Sequence, residues 1–213
     1  MPAFAKFLPL LLTGFIVLSC SPKVGVVAEE PPTHTDQITQ WQMELNAQYK
    51  DPEHSPLPPE DREAFTAHPF FEINDKYRVE ARLVYPDDTE ILDMPTSSGS
   101  SKTYSVWARA HFSIDGQAGS LMVLKPAGFR SVSSNYLFVP FQDETSGQET
   151  YGGGRYINLP LPQGQPETIM IDFNRAYHPY CAYTTGYNCP IPPQENRLNL
   201  RIEAGIKLAA QHQ

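Results

Sequence analysis

The stretch YRVEARL at residues 77–83 decides the fold class of this 213-residue chain. Its apolar residues Tyr77, Val79, Ala81 and Leu83 alternate with charged residues. Successive side chains of a β-strand point to opposite faces, so this alternation is typical of a strand with one face buried and the other in water. The chain is therefore expected to form β-structure at this point.

Further strand patterns follow at short intervals, without a long helical pattern between them. An Asp115-Gly116 pair separates two of them and is typical of the tight turn in a β-hairpin. Because parallel strands need long crossover connections, the short intervals predict antiparallel pairing. The predicted strands cover residues 77–83, 91–94, 104–114, 121–125, 136–141, 156–161, 168–173 and 198–203.

Two short helical patterns precede the strands. Asp36 is a candidate N-cap for the first, in which Trp41 belongs to an apolar stripe of helical spacing that predicts a packing face. Prolines and acids at residues 57–61 open the second, which is predicted to run to Ala67. We therefore expect a mainly β fold, either an antiparallel β-barrel or a β-sandwich, with two short N-terminal helices packed on it.

The N-terminus predicts export and a lipid anchor. An apolar run over residues 7–18 follows Lys6 and is too short to span a bilayer. Ser19 then precedes Cys20, which is the pattern of a lipoprotein signal peptide over residues 1–19 and leaves Cys20 as the lipidated N-terminus. An uncleaved membrane anchor or an ordinary signal peptide is the alternative.

This N-terminus also predicts the domain organisation and the location. Residues 20–35 lack an apolar period and contain several prolines and acids, which predicts a flexible tether, and residues 36–213 are expected to form a single β-rich domain. The protein is then held in the cell envelope by lipid on Cys20, on the outer membrane where the cell has one. A formal net charge of −8 argues against nucleic acid as a partner.

Residues 172–196, DFNRAYHPYCAYTTGYNCPIPPQEN, concentrate the side chains that chemistry uses. The segment is too rich in Pro, Tyr and Asn for a regular helix and too long for a turn, so it is predicted to be an ordered loop, where function often lies. A second polar loop, ETYGGGR, occupies residues 149–155. The predicted ligand-binding residues are Glu149, Tyr151, Arg155, Asp172, Asn174, Cys181, Glu195 and Asn196.

Arg155 and Asp172 are predicted to form the centre of this site. Asp172 ends an apolar strand, so its carboxylate needs a partner. A short turn joins strands 156–161 and 168–173, and an antiparallel hairpin of these strands places Arg155 beside Asp172. The glycines before Arg155 are either an anion cradle or a means of close approach to the neighbouring loop. No Lys-Ser/Thr pair follows them, which excludes the phosphate-loop motif.

Cys181 and Cys189 are the cysteines that remain once Cys20 carries lipid. A pair in an exported protein favours a disulfide. Two buried thiols, a reactive thiol near an arginine, or a metal pair are the alternatives. Because the spacing of the two cysteines fits no common zinc motif, no metal site is predicted.

Three runs of the sequence carry a resemblance to a known family. ETYGGGRY at 149–156, DFNRAYHPYCAY at 172–183 and CPIPPQEN at 189–196 resemble the motifs of the bacterial and archaeal family catalogued as domain of unknown function 1684. The resemblance extends from Phe65 to the C-terminus and implies no particular reaction. His178 stands where the family pattern usually has Asn, which makes it a poor candidate for a shared catalytic or metal-binding role.

Two functions of different classes fit the sequence. The first is a small-molecule site, enzymatic or purely ligand-binding, formed where the two polar loops meet over one end of the β-structure. The second is a non-catalytic structural or protein-interaction module whose polar loops only brace the fold. No recognised catalytic motif decides whether the protein is an enzyme, and no cofactor is indicated. Six tyrosines fit either function, since they would stack on a sugar or cover the end of the barrel: Tyr151, Tyr156, Tyr177, Tyr180, Tyr183 and Tyr187.

Overall fold

A computed structural model describes Met1, residues 30–127 and residues 135–209. The chain divides into two units, Met1–Pro31 and Pro32–Gln213, and all of the described helices and strands belong to the second. Apart from Met1, the predicted signal peptide lies outside the described residues, as do the predicted lipidation site Cys20 and the predicted tether up to residue 29.

Two helices open the second unit. Helix α1 spans His34–Lys50 and helix α2 spans Pro59–Ala64. The N-cap of α1 is Thr33 and not the predicted Asp36. The two residues form a capping box, because the Thr33 side chain accepts from the Asp36 N–H and the Asp36 carboxylate accepts from the Thr33 N–H at 3.0 Å. Neither helix, nor any other in the described residues, is long and apolar enough to cross a membrane.

Seven antiparallel strands form one curled sheet, which amounts to half of a barrel. This confirms the predicted mainly β class with two N-terminal helices, and the open curled sheet takes the place of the closed barrel or sandwich. The strand order is β6-β5-β4-β3-β1-β7, and β2 also pairs with β3. The strands are β1 (Arg78–Val84), β2 (Ile91–Pro95), β3 (Ser101–Ile114), β4 (Gln117–Pro126), β5 (Tyr136–Phe141), β6 (Arg155–Pro160) and β7 (Thr168–Asp172).

The longest pairing is the hairpin of β3 and β4, which the Asp115-Gly116 signal predicted. Ile114 lies opposite Gln117, so the two residues between them make the whole turn. Both have positive φ, 50° for Asp115 and 80° for Gly116. Positive φ at both central positions is the conformation that matches the twist of paired strands, which is why an Asp-Gly pair serves at this turn.

The two faces of the sheet bury separate apolar clusters. Val79, Ala81 and Leu83 of β1 are buried in the larger cluster, in agreement with the alternation of the sequence. On β4, Val123 belongs to this cluster and Leu124 to the smaller one, because neighbouring strand residues face opposite sides. The smaller cluster contains several aromatic rings and forms the floor of a cleft.

The segment 198–203 forms no strand in the described structure, although a strand was predicted there. Its backbone bonds to the chain that continues β5: the Leu198 N–H donates to the Gln142 carbonyl at 2.8 Å, and the Ile202 N–H donates to the Asp143 carboxylate at 2.8 Å. The Asp143 side chain thus accepts a backbone hydrogen bond that the carbonyl of a neighbouring strand would accept in a regular sheet. The apolar side chains are nevertheless buried as their alternation predicted: Leu198, Leu200 and Ile202.

The predicted hairpin of β6 and β7 does not form, because these strands lie at opposite ends of the strand order. β6 forms a ladder with β5, and β7 forms one with β1. The connection between them, residues 161–167, forms one hydrogen bond at each end of its length. The Leu161 N–H donates to the carbonyl of Asn135, which precedes β5, and the Leu83 N–H of β1 donates to the Glu167 carbonyl. The connection therefore joins the two edges of the curled sheet, and the short turn expected from the sequence is absent.

Candidate functional site

Arg155, the first residue of β6, is completely buried and pairs with Asp143 rather than with Asp172. Its guanidinium donates to the Asp143 carboxylate at 3.1 Å and to the carbonyls of Ile202 at 2.9 Å and Ala204 at 2.5 Å. An arginine keeps its charge in proteins, so the carboxylate and carbonyl oxygens are needed to stabilise it away from water. This arrangement holds the irregular segment after residue 198 against the sheet.

Asp172, the last residue of β7, bonds to the first residue of α1. Its carboxylate accepts from His34 Nε2 at 2.7 Å and from the Asn174 side-chain amide at 2.9 Å. The other ring nitrogen of His34 bonds to the Asp75 carboxylate at 2.5 Å. Both ring nitrogens of His34 therefore lie against carboxylate oxygens, which ties the first residue of α1 to Asp75 and Asp172. Asp172 thus fixes the start of α1, and the predicted ion pair with Arg155 is wrong.

Two buried asparagines among the predicted site residues also bond to backbone. Asn174 accepts from the Asn74 N–H and donates to the Asn74 carbonyl, both at 3.0 Å. Asn196 accepts from the Met122 N–H at 2.6 Å and donates to the carbonyls of Met122 at 3.0 Å and Pro140 at 2.6 Å. Asn196 therefore bridges β4 and β5 beside the single register pair of these strands, Leu124 with Phe138.

The other four predicted residues lie apart from this centre. Glu149 pairs with Arg201 at 2.5 Å on the partly exposed surface, the Tyr151 N–H donates to a histidine ring, and Glu195 is exposed. Cys181 is bonded to a second cysteine. None of the eight predicted residues lines either of two cavities found in the described part of the chain, one of about 600 Å³ and one of about 330 Å³. The structure thus places the eight residues in different parts of the fold, outside both cavities.

The glycine loop before Arg155 makes a close approach between backbones. Gly154 has a φ of 90°, and a Cβ atom placed on it would lie 2.5 Å from the Phe141 carbonyl oxygen and 2.8 Å from the Pro192 side chain. Only glycine fits such a position without strain. The loop therefore has the role of allowing close approach to the 172–196 segment, which was one of the two alternatives that the sequence left open.

The larger cavity is a cleft of about 600 Å³ between α1, the aromatic face of the sheet and the 172–196 loop. Most of its wall consists of aromatic side chains, and β3, β5 and β6 provide its floor. The lining residues are Trp41, Leu45, Gln48, Tyr49, Lys102, Tyr104, Tyr136, Phe138, Tyr156, Asn158, Tyr177, Pro179, Tyr180, Tyr187, Asn188, Cys189 and Pro190.

The rings of this aromatic cleft pack in a continuous series. Tyr104 stacks on Phe138 with ring centroids 5.4 Å apart, Phe138 meets Tyr156 edge to face at 4.8 Å, and Tyr156 meets Tyr177 edge to face at 5.9 Å. Offset and edge-to-face pairs are the favoured arrangements of aromatic rings, so each ring fixes the position of the next.

Hydrogen bonds fix the polar ends of several of these rings. The Asn158 amide donates to the Tyr177 hydroxyl at 2.8 Å, and the Gln48 amide donates to the Tyr180 hydroxyl at 2.6 Å. The Tyr156 hydroxyl donates to the Pro190 carbonyl. The bond from Gln48 joins α1 to the 172–196 loop across the cleft.

Burial keeps the hydroxyl groups of Tyr104, Tyr156 and Tyr177 in their neutral form. Burial, with a smaller contribution from neighbouring Tyr136, raises the pKa of Tyr104 to about 12. Burial likewise raises the pKa of Tyr156 and Tyr177 above the ordinary value for tyrosine. These phenols therefore remain protonated at physiological pH and present hydroxyl groups.

Cys181 and Cys189 are paired as a disulfide, with their Cα atoms 6.3 Å apart. The bond closes the short segment that carries Tyr187 and Asn188 into the cleft wall. Ser97 supports this segment, since its hydroxyl lies 3.0 Å from Cys181 Sγ and accepts from the Cys189 N–H at 3.1 Å. No group of three or more His, Cys, Asp or Glu side chains in the described chain is placed to hold a metal ion.

The sequence profile of the family described as protein of unknown function (DUF1684) matches residues 63–207. The chain belongs to this family. This confirms the resemblance drawn from the three motif runs. No curated protein matches the sequence.

A solved structure supports the fold of this DUF1684 chain. An uncharacterised protein of Haloarcula marismortui, determined by NMR in solution, is 35% identical and superposes with a TM-score of 0.65. The match covers 83% of the present chain and 95% of the archaeal one. The similarity extends over nearly the whole archaeal protein and names no ligand or reaction for it.

The smaller cavity of the DUF1684 chain, of about 330 Å³, is lined by His68, His178 and Tyr183, among others. Burial lowers the pKa of His68 to about 4, and burial together with the charge of Arg155 holds the pKa of His178 well below its ordinary range. The Tyr151 N–H donates to His178 Nε2 at 3.1 Å, so neutral His178 carries its proton on Nδ1, which lies 3.3 Å from the Tyr183 hydroxyl. Both histidines are therefore neutral packing groups near pH 7.

Sequence reasoning found only part of the cleft. Four of the six tyrosines noted in the sequence line it, whereas Tyr151 and Tyr183 do not. It missed Lys102, Tyr104 and Tyr136, because alternation along a strand gives the face of a residue and not what covers that face. A run of aromatic residues on the smaller-cluster face of β3, β5 and β6 was the signal available.

Proposed function

We propose that this DUF1684 chain is a small-molecule-binding protein, and that the aromatic cleft holds a ligand containing a flat or sugar ring. The supporting observation is a cleft of about 600 Å³ whose floor and walls are mostly aromatic. Ligand sites in proteins have volumes of roughly 300–1,000 Å³ and combine apolar walls with a few placed polar groups. The proposed binding site therefore consists of these aromatic rings and not of the polar residues that the sequence predicted.

The cleft is organised for binding before a ligand arrives. Its tyrosine hydroxyls are held by Gln48, Asn158 and the Pro190 carbonyl, and its rings contact each other in fixed edge-to-face pairs. Rings that are already ordered lose little conformational entropy on binding, which favours affinity. A face that only covered the sheet would need neither the open volume nor hydrogen bonds across it.

The ionisable groups of the cleft favour binding over acid–base catalysis. Its lining contains no Asp, Glu or His among the described residues, and apart from tyrosines its one ionisable residue there is Lys102. A general acid or base works best with a pKa near the operating pH, and a Tyr104 pKa of about 12 is far from it. The proposal is therefore a binding module, and the alternative brace function is assigned to the polar residues around Arg155 and Asp172.

Fluorescence titration with the neutral ring compound N-phenyl-1-naphthylamine tests the proposal. In a Trp107→Phe background the remaining tryptophan is Trp41, which lines the cleft, so bound probe is expected to quench its emission by energy transfer. Tyr136→Ala removes a cleft ring and is expected to weaken binding by about tenfold or more. Met170→Ala is the matched control, because Tyr136 is 38% exposed and Met170, on β7 outside the cleft, is 42% exposed. Equal affinity of the two variants, or no quenching, would contradict the proposal.

We further propose that the protein works in the cell envelope, attached to a membrane by lipid on Cys20. The support is the sequence pattern alone: an apolar run over residues 7–18 that ends at Ser19-Cys20. Expression of the full-length chain and of its Cys20→Ala variant, followed by membrane fractionation, tests it. Release of the variant into the soluble fraction is expected, and unchanged membrane association of both proteins would reject the lipid anchor.

A further inference from the structure

We propose that the ligand of the aromatic cleft carries an oxyanion, a carboxylate, sulfonate or phosphate, and that Lys102 and Asn188 bind it. This inference rests on the proposed function of the cleft and adds the charge of the ligand. Both residues line the cleft and both are exposed, so they are available to a ligand.

Lys102 and Asn188 lie at the same end of the cleft. Lys102 and Tyr104 are two residues apart on β3 and therefore face the same side of the sheet. Ser100, two residues before Lys102, donates its hydroxyl to Asn188 Oδ1 at 3.2 Å. The contact places the Asn188 side chain beside the start of β3, where Lys102 is.

The orientation of the Asn188 amide leaves its donor side for the ligand. Its oxygen accepts from the hydroxyls of both Ser98 at 2.8 Å and Ser100 at 3.2 Å. The NH₂ group is then the part of the amide that is not used by these serines. An ammonium and an amide NH₂ at one end of an apolar cleft are both donors, and together they suit an acceptor with negative charge.

The charges of the cleft also favour an anionic ligand. The chain as a whole is acidic, with a formal net charge of −8, yet no carboxylate of the described residues lines the cleft. Lys102 forms no ion pair with any residue in the described part of the chain. A cation that has no counter-ion among the described residues and lies next to aromatic rings selects for a ligand that supplies the opposite charge.

A matched pair of ring probes tests the inference. 8-Anilinonaphthalene-1-sulfonate is N-phenyl-1-naphthylamine with a sulfonate added, so the difference in affinity between them reports the anion. We expect the sulfonate to bind about fivefold more tightly, and the difference to shrink as salt is raised from about 20 mM to about 0.5 M. Competition by 1-naphthoate and by 1-naphthyl phosphate then shows which oxyanion is preferred.

Variants assign the effect to the two residues. Lys102→Met is expected to remove most of the preference for the sulfonate probe over the neutral probe. Asn188→Asp is expected to abolish the preference, because it places a carboxylate beside Lys102 that neutralises the ammonium. Lys125→Met is the matched control, since Lys125 follows Leu124 on β4 and faces away from the cleft.

The outcomes separate this inference from the proposed function. Equal binding of both probes to the wild-type protein, or an unchanged preference in Lys102→Met, would overturn the oxyanion site and leave the ring-binding cleft intact. Absence of binding by both probes would overturn the proposed function as well. Circular dichroism of each variant checks that probe binding occurs to folded protein.

Discussion

Replacing Arg155 with Met tests whether the most buried charge of the protein is a brace. Met preserves much of the length and volume of the side chain and removes the guanidinium. In the wild-type protein that group is 0% exposed and donates to Asp143, Ile202 and Ala204. The substitution leaves the Asp143 carboxylate buried without its cation and leaves two carbonyl groups without a donor.

The expected loss of stability is large. Removal of one partner from a buried ion pair costs about 3–5 kcal/mol, because the remaining charge is uncompensated. The two carbonyls raise the cost further, since an unsatisfied buried acceptor costs about 1–3 kcal/mol. We expect Arg155→Met to lower the free energy of unfolding by about 4 kcal/mol or more, which is a large share of the roughly 5–15 kcal/mol typical of a domain.

Urea unfolding followed by circular dichroism measures this loss. Arg201→Met is the control, because Arg201 pairs with Glu149 and Glu203 on the surface with its side chain 37% exposed, and such pairs contribute less than about 1 kcal/mol. A cycle with Asp143→Asn isolates the pair: the double variant buries no unpaired charge, so it should lose less stability than the two single losses combined. A loss below about 1 kcal/mol for Arg155→Met would refute the assignment of Arg155 as a brace.

Three further predictions concern other parts of the structure. Because burial lowers the pKa of His68 to about 4, the unfolded chain binds a proton that the folded chain does not, and stability should fall by about 3 kcal/mol between pH 6.5 and pH 4. Urea unfolding of the wild-type protein and of His68→Phe at the two pH values should show a smaller loss of stability in the variant. An equal loss in both proteins would contradict the role of His68. The disulfide of Cys181 and Cys189 should resist alkylation in denatured, unreduced protein. Two titratable thiols in that experiment would reject the bond. Replacement of both cysteines by serine should lower the free energy of unfolding by about 2.5 kcal/mol, because the unfolded chain then loses the entropy restriction of the closed loop. His34→Gln should lower stability by about 2 kcal/mol. Asp75 and Asp172 bond to the two different ring nitrogens of His34, and glutamine has a nitrogen at only one end of its amide group. An unchanged urea midpoint would show that this contact does not hold α1.

Strand positions were predictable from the sequence, and strand neighbours were less so. Alternation located β1 within one residue at each end, and the Asp115-Gly116 pair identified the β3–β4 turn. Both patterns involve residues that are close together in the sequence, so they can be recognised without the three-dimensional structure. The partners of β6 and β7 depend on the curl of the whole sheet, which brings its edges close enough for residues 161–167 to join them.

The same limit explains the errors at the site. The sequence shows that Asp172 needs a partner. It does not show that this partner is His34, at the start of α1, and not Arg155. The choice depends on where α1 docks, and no local pattern encodes that. Asp143 reaches Arg155 because of the position of the chain beyond β5, which is equally absent from any local pattern.

The polar residues and the aromatic residues of the loops have different physical roles. The chain after β7 forms isolated bridges such as Tyr156 with Tyr177, but no continuous ladder in its described part. Many of its backbone groups therefore need partners other than a neighbouring strand. Arg155, Asp143 and Asn196 supply such partners by bonding to main-chain groups of this region or of the strands beside it. A loop that pairs with a sheet at only a few positions will therefore be rich in charged and amide side chains whether or not it binds a ligand. The rings instead line the open volume of the cleft, and where they are tyrosines only their hydroxyl groups take part in hydrogen bonds. For this reason the composition of the 172–196 loop indicates how it is held, and the aromatic face beneath it carries the proposed binding site.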